Sequence, residues 1–395
     1  MNRVGQRAPM RSILMGILVL ASMLLASCDS GPTNNAKGPS AANGGKGCSK
    51  IGILLPETTS SVRWETKDHP LLELAVKSAI PNAQIDYSNA QGNSATQLSQ
   101  AETDLANGDC MLIVGAHDSV AASSIVAKAK AQNVPVIAYD RLIQSKDLNY
   151  YVSFDNVKVG QIQGQYIVDH YQEYQPQQAP ITGLLATQQA QKAAAVHIVM
   201  ISGSQTDTNA LLFSMGVHTA LDPLFANGSL KNVSENFTPN WDNNVAQAEM
   251  EAALADQQNN IQIAYVANDG MADGAITALK AANLNGKVLV TGQDATATGI
   301  HNILIGAQSM TVYKPIAKEA QSVGDLVKAL YNGTDVNGLT HGVTTTTFDG
   351  GNVPSILAVP VAVDRNNIAS TVIADNYLSK SDVCAGIPAG TAGVC

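Results

Sequence analysis

Short, continuous apolar runs alternate with longer segments of helical period along almost the whole chain, and this alternation limits the fold more than any other feature. The first strand candidates are IGILLP (51–56), AQIDYSN (83–89), MLIVGA (111–116), VPVIAYD (134–140) and YYVSF (150–154). Between them lie helix-period segments such as Ser94 to Asn107, capped by Ser94 and stopped by Gly108, and Ser119 to Gln132. Runs this uniformly apolar suit strands buried on both faces of a parallel sheet. Repeated βα units of this kind build a doubly wound α/β layer. The pattern then begins again with HIVMISG (197–203), VSENF (233–237), IQIAYVAND (261–269) and KVLVTGQD (287–294), and NNVAQAEMEAALADQ (243–257) is its clearest helix. Two such sets predict two similar Rossmann-like lobes. The last stretch (MTVYKP, TTTTFDGG, SILAVPVAVD) is mostly strand, as expected of a chain that crosses back through a multi-strand hinge.

The N-terminus predicts export. Arg3, Arg7 and Arg11 precede an apolar run from Ile13 to Ala26, and no acid appears before Asp29. A basic start, a short apolar run and small residues before a cleavage point make a secretory signal, here residues 1–27. Leu25-Ala26-Ser27-Cys28 is similar to a bacterial lipobox, in which the cysteine is lipidated and becomes the first mature residue. Residues 28–47 read as a flexible linker, since Gly, Ser, Asn and Pro dominate and nothing apolar is available to bury. The expected location is the outer face of the cytoplasmic membrane, held by lipid on Cys28. About 345 residues remain beyond the linker, enough for two domains. The expected division is 48–154 plus about 295–340 for an N-terminal lobe and 155–294 plus about 341–395 for a C-terminal lobe. Gln172 to Lys192, rich in Gln and Ala, reads as an inserted surface excursion.

Net charge is −9, and losing the signal removes three arginines and no acids, leaving about −12. That balance excludes nucleic acid as a partner and disfavours adsorption to anionic lipid. Four cysteines follow Cys28, and an even number in an exported chain suggests disulfides. Cys48 and Cys110 each stand just before an apolar run, so adjacent parallel strands would bring them to one sheet edge; Cys384 and Cys395 would then pin the tail. Free buried thiols are the alternative. No CxxC or clustered Cys/His spacing points to a metal, and no cofactor is expected.

Polar residues collect where the strands end: Asp140-Arg141, Asp155-Asn156, Asn268-Asp269 and Asp294. In open α/β sheets, ligands bind outside the carboxyl ends of the strands. Carboxylates and amides there accept from sugar hydroxyls, and Arg and Lys donate. The two tryptophans, Trp64 and Trp241, both stand in connections rather than strands, where an indole face can pack on a pyranose ring. Ordinary loop packing is the competing reading for each.

VRWETKD (62–68), GNSATQLSQ (92–100), VIAYDRLI (136–143), YVSFDNVKVG (151–160), VANDGMADGAITAL (266–279), VTGQDATATGI (290–300) and MTVYKPIAKEA (310–320) carry a resemblance. Residues 49 to about 378 resemble the periplasmic sugar-binding proteins of the ribose/galactose type, and within them the xylose binders. The resemblance implies a type I periplasmic-binding-protein architecture, a monosaccharide ligand (D-xylose first), a monomeric chain and an ABC permease as partner. It implies that Arg63, Asp140, Arg141, Asn268, Asp294 and Lys314 hydrogen-bond the sugar. Trp64 and Trp241 would flank the ring, and Asn209 would make a further contact. Asp155 and Asn156 fall at the first expected crossover, as hinge support or as ligand contacts. PETTSS (56–61) departs from the family pattern and leaves ribose, arabinose, glucose or galactose as alternatives, and a sensor role beside transport.

An enzyme would need chemistry that the motifs do not supply: there is no nucleophile elbow, P-loop or HExxH. Asp140 and Asp294 could imitate a glycosidase pair, but the arginine beside Asp140 favours its ionised form and works against a general acid. A sugar-responsive repressor would need a helix-turn-helix where the signal and linker stand.

Overall fold

The computed structural model describes residues 44–58, 61–175 and 195–395. The expected signal segment, Cys28, most of the expected linker and all but the first residues of the Gln-rich stretch lie outside the described residues. Strands β1 (Lys50–Leu55), β2 (Gln84–Asn89), β3 (Met111–Val114), β4 (Val136–Tyr139) and β5 (Tyr150–Phe154) pair in parallel in the order β5-β4-β3-β1-β2. β1, β3 and β4 are buried almost throughout, which is why they read as unbroken apolar runs. Helices α1 (His69–Ala79), α2 (Ser94–Ala106) and α3 (Ser123–Ala131) connect them. The cap of α2 is Asn93 rather than Ser94: its side chain accepts from the Thr96 amide, and its extended backbone lets it stand just outside the first turn.

The second lobe begins with α4 (Asn156–His170). Its sheet comprises β6 (Val196–Ser202), β7 (Leu230–Phe237), β8 (Ile263–Val266) and β9 (Leu289–Val290), all parallel in the order β7-β6-β8-β9. Helices α5 (Thr208–Ala226), α6 (Asn243–Asp256) and α7 (Asp269–Ala281) lie between the strands. α4 and α5 meet backbone to backbone, since a Cβ on Gly160 would lie 2.0 Å from the Phe213 carbonyl oxygen and one on Gly216 2.1 Å from that of Val157.

The chain then passes through α8 (Ala297–Leu304) and β10 (Met310–Tyr313). It returns to the first lobe as α9 (Ile316–Asn332), whose apolar face joins α1 in the core. After the short α10 (Asn337–Thr340), β11 (Thr344–Thr346) and β12 (Asn352–Ala358) extend the first sheet, with β12 parallel to β5. β13 (Val361–Asp364) leaves it again to pair antiparallel with β10. Two parts of the expected division are therefore corrected. Residues 344–358 belong to the first sheet rather than the second lobe, because β12 satisfies the edge of β5 that would otherwise be unpaired. Ala307, Met310 and Val312 join the second-lobe core, while α8 and Tyr313 pack with Val363, the C-terminal tail and Phe154 of β5. Three crossovers remain, at 154–156, 313–316 and 358–361. Cys48 is bonded to Cys110 and Cys384 to Cys395, with Cα atoms 5.6 and 5.4 Å apart.

Candidate functional site

The carboxyl ends of both sheets open on the same space. Arg63 and Trp64 follow β1, and Asp140 and Arg141 follow β4. From the second lobe come Asn209 at the start of α5, Trp241 before α6 and Asn268 after β8; Asp294 follows β9 and Lys314 follows β10. All nine line one cavity, about 30 Å³ in this conformation, which is room for about one water. Asp155 and Asn156 do not line it. Asp155 is exposed and caps α4 by accepting from the Lys158 amide. Asn156 is buried and donates to the Asn209 side-chain oxygen at 2.8 Å, so it orients a lining residue instead.

Asp140 is the hub. Its Oδ2 accepts from Arg63 Nη2 at 2.7 Å and Lys314 Nζ at 3.1 Å, and its Oδ1 from Asn209 Nδ2 at 3.1 Å. Burial alone would raise its pKa, but the Arg63 guanidinium and the Lys314 ammonium hold it well below the usual carboxylate range. Asp140 and Asp294 sit at φ 58° and 100°, the left-handed region that non-glycine residues seldom occupy and that marks sites where side-chain aim outweighs backbone comfort. Asp294 lies 3.5 Å from Arg63 Nη1 and 3.8 Å from Lys314 Nζ, and it accepts from Ser61 Oγ at 3.2 Å. The Asn268 side chain caps α7 through the Met271 amide, fixing its place on the rim.

Residues absent from the expected set hold these groups in place. Asp68 grips Arg63 with two oxygens, each at 3.1 Å, and is itself fixed by the Tyr139 hydroxyl at 2.6 Å. Asp207 pairs with Arg141 Nε at 2.9 Å across the lobes, with Glu57 3.6 Å from Nη2. Trp64 carries both guanidinium groups near its ring, at 4.5 Å for Arg63 and 5.2 Å for Arg141. Trp241, on the other lobe, meets Phe213 edge-on. Behind the hub, both carboxyl oxygens of Glu319 are buried with no hydrogen-bond partner among the described residues, and burial and the nearby Asp140 push its pKa well above the usual range. Asp68 and Asp207 stand inside WETKD and QTDTNA, but a carboxylate that orients an arginine looks the same in sequence as one that caps a helix.

Such a site offers carboxylate acceptors, cationic donors and indole faces from two lobes at once. That suits a small polyhydroxylated ligand, and seating a pyranose requires the lobes or the paired side chains to separate. The sequence profile of the periplasmic binding protein domain matches residues 51–335. A D-xylose-binding periplasmic protein of Haemophilus influenzae is 34% identical over 337 residues, covering 85% of this chain and 92% of that one. The D-xylose-binding periplasmic protein of Escherichia coli is 34% identical over 336 residues, with 85% and 92% covered. Among solved structures, a carbohydrate-transporter solute-binding protein of Chloroflexus aurantiacus in complex with D-glucose superposes with a TM-score of 0.70 at 29% identity, covering 84% of this chain and 97% of that one.

Proposed function

The chain belongs to the periplasmic binding protein family, and from that premise we propose that it captures a monosaccharide, D-xylose first, between its lobes and delivers it to an ABC-type importer. It is a solute receptor, not an enzyme, as its homologues are. The observation that carries the ligand reading is the convergence of nine polar and aromatic residues from both lobes on one cavity. Sugar hydroxyls exchange for the ion pairs among Arg63, Asp140 and Lys314, and contacts to both lobes favour the closed arrangement by differential affinity. The three crossovers act as the hinge. A micromolar dissociation constant corresponds to about −8 kcal/mol, within reach of several charge-assisted bonds and ring stacking. Glucose is the second reading, since the Chloroflexus relative holds that sugar.

We place the monomeric receptor on the outer face of the cytoplasmic membrane through acyl chains on Cys28, which several chains on one residue make firm. A calorimetric panel of xylose, ribose, arabinose, glucose and galactose tests the ligand: tightest binding is expected for xylose, and silence toward every pentose sinks the assignment. Cys28→Ala should move the protein from the membrane to the soluble fraction; unchanged sedimentation with membranes would remove the anchor from this account.

A further inference from the structure

Beside the inner cavity lies a larger one of about 400 Å³, lined from the first lobe by Glu57, Gln91 and His117 and from the second by Thr206, Asn240 and Asn244. Pockets for small ligands run from roughly 300 to 1,000 Å³. Arg141, Asp207 and Trp241 line both cavities, so the two compartments share a wall. That wall is built under constraint. Asn240 and Trp241 both hold φ 55°, a conformation that an aromatic residue seldom adopts and that carries roughly 1–3 kcal/mol of strain per residue. A Cβ on Gly203 would come within 2.1 Å of the Trp241 ring, so only glycine there lets the indole close onto the backbone.

Two residues of this lining each keep a buried ring nitrogen with no hydrogen-bond partner among the described residues, Nε1 of Trp241 and Nδ1 of His117. Burial without a partner costs about 1–3 kcal/mol for such an atom, and a hydroxyl group can both donate and accept. The lining contains hydroxyl, amide, carboxylate and imidazole groups and one indole, with no aliphatic side chain. It therefore favours a second sugar over an apolar aglycone.

We propose that the outer cavity is a second sugar subsite. It takes the next unit of a disaccharide or short oligosaccharide whose terminal ring occupies the inner cavity, and the inference rests on the monosaccharide reading of that inner cavity. The shared wall then touches both units: Trp241 flanks each ring in turn, and the Arg141–Asp207 pair lies where the glycosidic link passes. An occupant bridging Gln91 and His117 on one lobe to Thr206 and Asn244 on the other adds to the bias toward closure.

Calorimetric titration of the full-length chain with xylose and with xylobiose, repeated on His117→Ala and Asn244→Ala, tests this. Xylobiose is expected to bind at least as tightly as xylose. Each variant is expected to weaken xylobiose by about three- to tenfold, the size of one net hydrogen bond, while xylose stays within about twofold. Binding of xylose with weaker or no binding of xylobiose, or variants that weaken both sugars alike, overturns the second subsite and leaves the inner-site reading standing. Silence toward both sugars overturns the pentose reading and this inference with it.

Discussion

The two ends of the first sheet bury carboxylates under opposite conditions. At the carboxyl end, Asp140 meets Arg63 and Lys314, and Asp68 grips Arg63 with both oxygens. At the amino end, Asp86 of β2, Asp104 of α2 and Asp109 before β3 gather around Lys50. Its Nζ lies 3.0 Å from Asp86 and 3.1 Å from Asp109, and Asp104 Oδ2 is buried with no hydrogen-bond partner among the described residues. Burial pushes Asp104 up to about 7 and Asp109 up to about 6, whereas cations hold Asp140 far below both. Burial is common to Asp104, Asp109 and Asp140, so the two cations on Asp140 set it apart. A carboxylate kept ionised can serve a ligand's hydroxyls. One kept half-protonated makes stability depend on pH.

The largest effect expected from this contrast is on the hub. Asp140→Asn leaves Arg63 and Lys314 buried without their shared partner, a loss of about 3–5 kcal/mol in folding stability. Xylose affinity should fall at least about a hundredfold by calorimetry, because Asp140 is the common acceptor that orients Arg63, Lys314 and Asn209. Near-normal affinity would show that the ligand does not use this end of the sheet.

The next effect belongs to the amino end. A folded-state pKa above the unfolded value near 3.8 means that the folded chain holds a proton the unfolded chain has released. Stability from Asp104 is therefore present at low pH and is lost as pH rises from about 4 through 7. Asp104→Asn should be more stable than the parent at pH 8, by roughly 2–4 kcal/mol, and indistinguishable near pH 4 in urea titrations. Asp269 in the second lobe is also pushed up to about 7 by burial, but it is common to both proteins and cancels. A gap that persists unchanged at pH 4 would place the effect in packing rather than charge.

Gly52→Ala probes the same end without altering charge. A Cβ there would meet Leu112 Cδ2 at 2.7 Å and Asp104 Oδ2 at 2.8 Å, so overpacking of about 1–3 kcal/mol is expected. Xylose affinity should stay within about twofold, since the substitution touches no lining residue. A matched loss of affinity would mean that the two ends are coupled through β1.

The contrast also marks where sequence reading succeeds. β1, β3, β4 and β5 were legible because strands buried on both faces are nearly continuous apolar runs. β9 was not: KVLVTGQD shrinks to Leu289–Val290 because the Thr291 hydroxyl, accepting from the Val266 amide at 2.9 Å, takes over from the ladder. The place of β12 depends on pairing with β5 some two hundred residues earlier, which leaves no local trace. Asp140, Asp294 and the tryptophans could be found from strand ends and motifs. Asp207 could not, since only the fold brings it to Arg141, and Asp68, five residues after Arg63, looks in sequence like any helix-start carboxylate.

Asp155 supplies the smallest and most discriminating test, because it stands at the carboxyl end of the sheet yet belongs to neither kind of carboxylate. It is exposed, caps α4 through the Lys158 amide, and its own amide donates to the Ala358 carbonyl at 3.0 Å, tying two crossovers together. Asp155→Ala removes the cap and should cost about 1 kcal/mol, with xylose affinity changed by less than about threefold. Asp155→Asn should restore most of the stability, since an amide oxygen can cap as well as a carboxylate. If affinity instead falls tenfold or more while Asn restores only stability, then its charge acts on the ligand and the boundary of the site must be drawn to include the crossover.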